Sequence, residues 1–255
     1  METRQNIFKQ RLLAGETLIG IWSTLCNPVA SEALADCGFD WMLIDTEHSP
    51  IEVSQVMPLL QAAATGGAAS LVRPAWNDKI LIKRLLDIGA QTILVPFVEN
   101  AEEAQAAVSA TRYPPHGIRG VAGTTRSGRY GMASDYFQRA NDEVCVLVQI
   151  ETATALANLE AIAGVEGVDG VFIGPADLAA SLGYLGNPGH EVVQDALKDA
   201  VQRLTKIGKP AGILAANADT AKTYVAMGFQ FVAAGLDLGL LVKAANNLSA
   251  AMKSE

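Results

Sequence analysis

The chain has 255 residues, half of them hydrophobic and 18% charged, enough for one sizeable core and a length that suits one large domain or two small ones. Its formal net charge is −8 and its pI about 4.9, an acidic balance that argues against nucleic acid or an anionic membrane as the main partner. Cys26, Cys37 and Cys145 are an odd number at spacings that match neither a disulfide framework nor a zinc site, which points to a reducing, intracellular compartment.

The first segment, METRQNIFKQRLLAGE, is a polar amphipathic helix pattern without the apolar core of a signal peptide. No uninterrupted apolar stretch approaches the ~18 residues of a membrane span, so a soluble, cytoplasmic protein is expected. Short apolar runs rich in β-branched residues then recur: IGIW (19–22), WMLID (41–45), ASLVRP (69–74) and TILVPFV (92–98), followed by VCVLVQIE (144–151), GVFIGP (170–175), AGIL (211–214) and FVAAG (231–235). Their continuous rather than alternating apolarity suits strands buried on both faces, as in a parallel sheet.

Helical stretches separate them. PVASEALADCG carries Ser31 as a candidate cap and Gly38 as a candidate stop. NDKILIKRLLDIG sets Ile80, Ile82, Leu85, Leu86 and Ile88 on roughly one face and ends at Gly89. NAEEAQAAVSATRYPP opens on Asn100, with two glutamates in its first turn, and closes before Pro114. Strand–helix alternation repeated eight times predicts a (β/α)8 barrel, one domain over residues 1–255. A doubly wound open sheet would want a glycine-rich turn after its first strand, and GIWSTLCNP offers none. Two gaps, 99–143 and 176–210, are longer than a βα unit needs. The first contains RYPPHGIRGVAGTTRSGRYG, which reads as a loop over the barrel mouth.

Working residues of such barrels lie at the C-terminal ends of strands, so the polar residues ending these runs are the candidates. They are Asp45, Glu47 and His48 after the second run, Arg73 after the third, Gln149 and Glu151 on the fifth, and Asp177 after the sixth. Glu151 and Asp177 close consecutive runs, expected about 4.8 Å apart in a sheet, and carboxylates so placed repel unless a cation or a shared proton intervenes. Oxygen ligands suit Mg²⁺ or Mn²⁺, and with only His48, His116 and His190 in the chain a histidine-rich zinc site is poorly supported. A metal, an arginine and a base around one pocket point to enolate chemistry on a small oxo acid. Each residue also has a structural reading: a strand-ending carboxylate as helix cap, Arg73 as a salt bridge across the rim, with Asp45 and Glu47 as its partners.

GFDWMLIDTEHSP (38–50), LVRPAWND (71–78), RYPPHGIRGV (112–121), VLVQIET (146–152) and VEGVDGVFIGPADLAASLG (165–183) together resemble the class II pyruvate aldolases of the HpcH/HpaI family, over nearly the whole chain. The resemblance implies a (β/α)8 barrel and a homo-oligomer, a hexamer built as a trimer of dimers that exchange their last helix. It also implies a divalent metal ion, Mg²⁺, Mn²⁺ or Co²⁺, held by Glu151 and Asp177. Arg73 would hold the pyruvate oxygen and stabilise its enolate, and His48 would be the acid–base residue, acting through a water, with Asp87 raising its basicity. Gln149 would line the pyruvate site, and the backbone around Ala176 and Asp177 would bind the substrate carboxylate.

The activity so implied is cleavage of a 4-hydroxy-2-oxo acid to pyruvate and an aldehyde: 4-hydroxy-2-oxoheptanedioate, giving succinate semialdehyde, or alternatively 2-dehydro-3-deoxyglucarate, giving tartronate semialdehyde. A Schiff-base aldolase would need a lysine at a strand end, whereas Lys79, Lys83, Lys198, Lys206 and Lys209 fall in predicted helices or loops. A barrel that binds oxo acids without turnover is the non-enzymatic alternative. The family often has glycine where this chain has Thr46, a change expected to bear on the acceptor pocket, and His-Pro where it reads GHEVV (189–193). Asp87 ends a predicted helix, and some eleven residues of helix carry the chain ~16 Å from the rim that holds His48. The expectation is therefore that Asp87 serves His48 of a neighbouring subunit.

Overall fold

The computed structural model describes residues 1–253. β1 (Leu18–Ser23), β2 (Trp41–Asp45), β3 (Ala69–Arg73), β4 (Thr92–Val95), β5 (Cys145–Ile150), β6 (Gly170–Ile173), β7 (Ala211–Leu214) and β8 (Phe231–Leu236) are all parallel. Each pairs with the next and β8 with β1, so the sheet closes into the expected barrel. Between the strands run α2 (Pro28–Ala35), α3 (Val53–Ala63), α4 (Lys79–Asp87), α5 (Ala101–Thr111), α6 (Tyr136–Glu143), the short α7 (Ala153–Ala157) and α8 (Leu159–Ala163), α9 (Pro175–Ser181), α10 (Glu191–Lys206) and α11 (Ala218–Met227). Before β1 lies α1 (Ile7–Leu13), and after β8 follows α12 (Asp237–Lys253). The segment 176–210 is therefore not a gap: α9 and α10 occupy most of it.

Period-two alternation divides the core in two. Leu43, Leu71, Leu94, Leu147, Phe172 and Phe231 fill the barrel interior, with Trp41 and Phe8, while Ile44, Val72, Ile93, Val148, Ile173 and Val232 face the helices. Large residues are matched by glycines across the interior. A Cβ at Gly20 would come within 2.2 Å of the Trp41 ring, and one at Gly212 equally close to Phe231. The same parity carries upward. Asp45 lies two residues beyond Leu43, Arg73 two beyond Leu71 and Gln149 two beyond Leu147, so each points inward at the C-terminal mouth. Asp45 and Arg73 are also register partners.

Several expectations are corrected. The first segment is helical only from Ile7, because Asn6 accepts a hydrogen bond from Lys9 N and caps it. Phe8 and Leu12 of that helix close the barrel floor. The cap of α2 is Asn27, bonded to Val29 N and Ala30 N with Pro28 in the first turn, whereas Ser31 is buried within the helix. The glycine- and arginine-rich segment 112–131 does not cover the mouth. It follows α5, which has already run back down, and so lies at the opposite end, where Arg126 donates to Ile88 O (2.9 Å) and Arg119 to Asp87 (2.9 Å), both at the end of α4. A connection from helix to strand returns to the N-terminal face by geometry alone.

Candidate active site

Arg73 is the centre of the mouth. It is buried, and its fork grips Asp45 at two points, Nε to Oδ1 (2.9 Å) and Nη2 to Oδ2 (2.6 Å). Trp22 Nε1 donates to the same carboxylate (3.1 Å), and the guanidinium lies 4.9 Å from the Trp22 ring. Burial alone would raise the Asp45 carboxyl, but Arg73, Trp22 and the Glu47 N–H outweigh it and hold it below its usual range. The remaining Arg73 nitrogen, Nη1, contacts Glu47 Oε2 (2.7 Å) and donates to Gln149 Oε1 (3.4 Å). The structural reading of Asp45 and Glu47 as partners of Arg73 thus holds.

Glu151 follows β5 directly and is 1% exposed. Its Oε1 accepts from Phe97 N (2.8 Å) and its Oε2 from Gln149 Nε2. Phe97 can aim its N–H there because it adopts φ 50°, in the left-handed region, directly after Pro96. Burial pushes the Glu151 carboxyl up to about 7; Phe97 opposes the shift, and Glu47 and Asp177 add to it by repulsion. Glu47 is likewise raised, first by burial, against Arg73 and His48 and reinforced by Asp45 and Asp177. Asp177 is not at a strand end as the sequence implied. β6 stops at Ile173, Pro175 begins α9, and Asp177 lies in the first turn of that helix. Ala176 and Asp177 precede the first intrahelical donor, Leu178 N bonded to Gly174 O, so their N–H groups face outward unclaimed by the helix.

Gly174 is the residue that sequence reasoning missed. A Cβ there would stand 2.6 Å from Glu151 Oε2 and 2.9 Å from Gln149 Nε2, so glycine is what lets β6 approach the carboxylate. Its place just before PAD is the one signal the sequence carries. The Phe97 backbone was equally invisible, since only glycine advertises a positive φ.

A cavity of about 350 Å³ opens at this mouth, lined by Trp22, Asp45, His48, Arg73, Gln149 and Asp177 on its polar side, with Leu214, Leu236 and Leu238 opposite. No lysine lines it among the described residues. Another cavity, of about 380 Å³, lies at the barrel floor around Asn6, Gly89 and Arg126, away from these groups. His48 is 63% exposed, with only Glu47 Oε1 nearby at 3.9 Å. Thr46 does not line the cavity: its hydroxyl donates to Arg73 O (2.6 Å) and ties β2 to β3. His190 in GHEVV caps α10 and stacks on Tyr184. Asp87 is the one predicted site residue the chain does not bring to the mouth. It ends α4 at the lower face, paired with the buried Arg119, which also donates to Tyr136 OH (3.1 Å) and covers the Tyr113 ring.

The donor set fits a hard divalent cation. Among the described residues no three His, Cys, Asp or Glu side chains form a metal cage, so protein ligands would be few and water or substrate would complete the shell, as Mg²⁺ and Mn²⁺ tolerate. Glu151 and Asp177 repel across a low-dielectric mouth, and each Glu151 oxygen, having accepted one hydrogen bond, keeps a lone pair.

The chain resembles known proteins over nearly its whole length. The family model for HpcH/HpaI aldolase/citrate lyase matches residues 18–244. A protein of Rhizobium etli named pyruvate aldolase is 54% identical over 98% of both chains. One of Klebsiella pneumoniae named 4-hydroxy-2-oxo-heptane-1,7-dioate aldolase is 54% identical over 96% of this chain and 93% of its own. The crystal structure of a family member from Burkholderia cenocepacia superposes with a TM-score of 0.94 at 39% identity, covering 98% of this chain and 100% of the other. The chain belongs to the HpcH/HpaI aldolase/citrate lyase family.

Proposed function

We propose that the protein is a carbon–carbon lyase, a class II pyruvate aldolase that cleaves 4-hydroxy-2-oxo acids reversibly to pyruvate and an aldehyde, 4-hydroxy-2-oxoheptanedioate foremost. The observation that carries this reading is the mouth itself: the Arg73 guanidinium, the His48 imidazole and the Asp45 and Asp177 carboxylates line one cavity that no lysine lines among the described residues, and Glu151 is hydrogen-bonded to Gln149 of that lining. The relatives named for pyruvate and for the heptanedioate support it.

A divalent cation on Glu151 and Asp177, Mg²⁺, Mn²⁺ or Co²⁺, supplies Lewis-acid polarisation of the 2-oxo group when bound. The N–H groups of Ala176 and Asp177 receive the substrate carboxylate, and Gln149 packs beside it. Arg73, already fixed by Asp45, donates from Nη1 to the 2-oxo oxygen, where negative charge grows as the C3–C4 bond breaks. His48, through a water, takes the proton of the 4-hydroxyl. The C3–C4 electron pair passes into the enolate of pyruvate, the aldehyde departs, and a proton is returned to C3.

Asp87 raises the basicity of His48 from a neighbouring subunit, and the oligomer is a hexamer assembled as a trimer of dimers. From Leu238 to Lys253 every residue of α12 is exposed in the single chain, Leu240, Leu241 and Leu248 included, as a helix exchanged with a second copy would be. No described helix is long and apolar enough to cross a membrane.

Stripping the metal with a chelator should abolish pyruvate release, and Mg²⁺, Mn²⁺ or Co²⁺ should restore it. Full activity of the stripped protein, or inactivation by borohydride in the presence of pyruvate, would refute the class II mechanism. The ratio of kcat/KM for 4-hydroxy-2-oxoheptanedioate to that for 2-dehydro-3-deoxyglucarate decides the acceptor aldehyde.

A further inference from the structure

An acidic chain keeps an island of positive charge at the floor of its barrel. The cavity of about 380 Å³ there is lined by Arg4, Arg11 and Arg126 and by a single carboxylate, Asp40, on a chain whose net charge is −8. Arg11 and Asp40 answer each other: they pair at 2.8 Å, Glu16 holds Arg11 Nε (2.8 Å), and Ile19 N donates to the second Asp40 oxygen (2.8 Å). Arg4 and Arg126 are left over. Neither forms an ion pair among the described residues, and the Arg4 side chain makes no hydrogen bond either.

Arg126 has a structural task. Its Nη1 donates to Ile88 O at the end of α4 (2.9 Å) and its Nη2 reaches Leu60 O in the last turn of α3 (3.5 Å), where helix ends carry partial negative charge. Gly89 makes room for it, since a Cβ there would stand 2.5 Å from Nη1. That accounts for one guanidinium, but not for a second brought beside it. The chain around Arg4 is fixed: Gln91 Nε2 donates to Arg4 O (2.7 Å), and Asn6 N, two residues on, donates to Glu143 Oε2 (2.7 Å). Burial first, and then repulsion from Arg4, hold the Arg126 guanidinium below its usual range, opposed by the Tyr130 hydroxyl. Two unmatched guanidinium groups at one cavity suit an oxyanion, which their planar forks recognise. The space is within the ~300–1,000 Å³ of small-molecule sites.

We propose that the floor cavity is a binding site for a small dianionic oxyanion, a dicarboxylate or a phosphate group, held between Arg4 and Arg126. It lies at the opposite end of the barrel from the mouth and does not depend on the aldolase reading. An occupant neutralises the arginine pair and ties the chain before α1 to the ends of α3 and α4, so binding should raise thermal stability. If Arg126 serves only to cap the two helices, no anion prefers this cavity.

The test is calorimetric titration of the full-length protein, with Mg²⁺ present at low ionic strength, using succinate, inorganic phosphate and, as a monoanion control, acetate. Succinate or phosphate should bind and raise the melting temperature, acetate should bind far more weakly, and added salt should weaken all of them. Arg4→Gln should weaken dianion binding about 10-fold or more, as loss of a charge-assisted hydrogen bond does. Its melting temperature without ligand should match wild type, because the Arg4 side chain bonds nothing. Arg126→Gln should lose binding too but also frees two helix ends, so Arg4→Gln is the deciding variant. Arg73→Ala separates the floor from the mouth, and dianion binding should persist in it. Undiminished binding by folded Arg4→Gln, binding abolished by Arg73→Ala, or no binding of either dianion by wild type would overturn the proposal. With the site upheld, the tighter of the two dianions identifies the occupant as a dicarboxylate or a phosphate compound.

Discussion

Burying a guanidinium such as that of Arg73 costs several kcal/mol unless its charge and its N–H groups are matched, and Asp45 does most of that matching. Nη1 is turned to Glu47 and Gln149, so the whole guanidinium is fixed in direction by side chains of the mouth. Arg73→Ala should lower kcat by ~10²–10³-fold or more, the usual size for a lost oxyanion donor, with KM changing less; a change confined to KM would make Arg73 an anchor only. Arg73→Lys should recover little, because an ammonium cannot fork onto Asp45 and still reach the pocket. Glu151 allows a prediction with a definite sign. Its carboxyl is raised to about 7 in the metal-free fold, so the folded state holds the proton more tightly than the unfolded chain. In the stripped protein this group therefore favours folding at pH below about 4.5, and the advantage is lost as pH rises to about 7, on the order of 3 kcal/mol in all. Denaturant titrations of stripped wild type and Glu151→Gln should show wild type falling behind across that window. If Glu151 is the proposed ligand it must ionise to bind, so metal affinity should climb through the same window and level off above pH 7.

At the scale of elements, the strand runs were legible because strands buried on both faces leave an unbroken apolar signature, and all eight runs are strands. Their ends were less so. TILVPFV reads as one run to Val98, but pairing stops at Val95: Pro96 has no N–H for the ladder and Phe97 turns to φ 50°. The unit from β6 to α9 shows what such an ending is for. Gly174 lets the chain pass close over Glu151, and Pro175 then starts the helix that carries Asp177. Gly174→Ala should press its methyl onto Glu151 and Gln149, costing ~1–3 kcal/mol as overpacking does, and should weaken metal binding as well as slow cleavage. A variant with wild-type melting temperature and wild-type metal affinity would show that the contact yields freely. The segment 112–131 was misplaced because composition says that a loop is functional without saying at which end of the barrel it lies; only its position after α5 decides that.

On the scale of the whole molecule, the single chain holds two proposed catalytic partners apart. His48 stands open at one face, Asp87 sits with Arg119 at the other, and α12 leaves the barrel with its leucines uncovered. Asp237 anchors the root of that helix firmly, accepting from Ser23 Oγ, Thr24 N, Thr24 Oγ1, Leu25 N and Leu238 N, so its departure from the barrel is built in rather than frayed. If subunits complete each other, mixing inactive His48→Ala with inactive Asp87→Ala protein after subunit exchange should restore part of the activity, since some mouths would then pair an intact His48 with an intact Asp87. No recovery in demonstrably mixed oligomers would rule out the cross-subunit dyad. His48→Ala alone should lose ~10²–10⁴-fold in rate with metal affinity unchanged.

By itself the sequence determined the barrel, the end of it at which chemistry sits, and most of the polar residues there, because burial periodicity is local and Asp45, Arg73 and Gln149 inherit their direction from Leu43, Leu71 and Leu147. It could not determine who partners whom. That Arg73 grips Asp45 with two nitrogens and meets Glu47 with the third, and that Phe97 and Gly174 shape the bed of Glu151, depend on side chains meeting from different strands, and such meetings are set by register and backbone angle rather than by residue type.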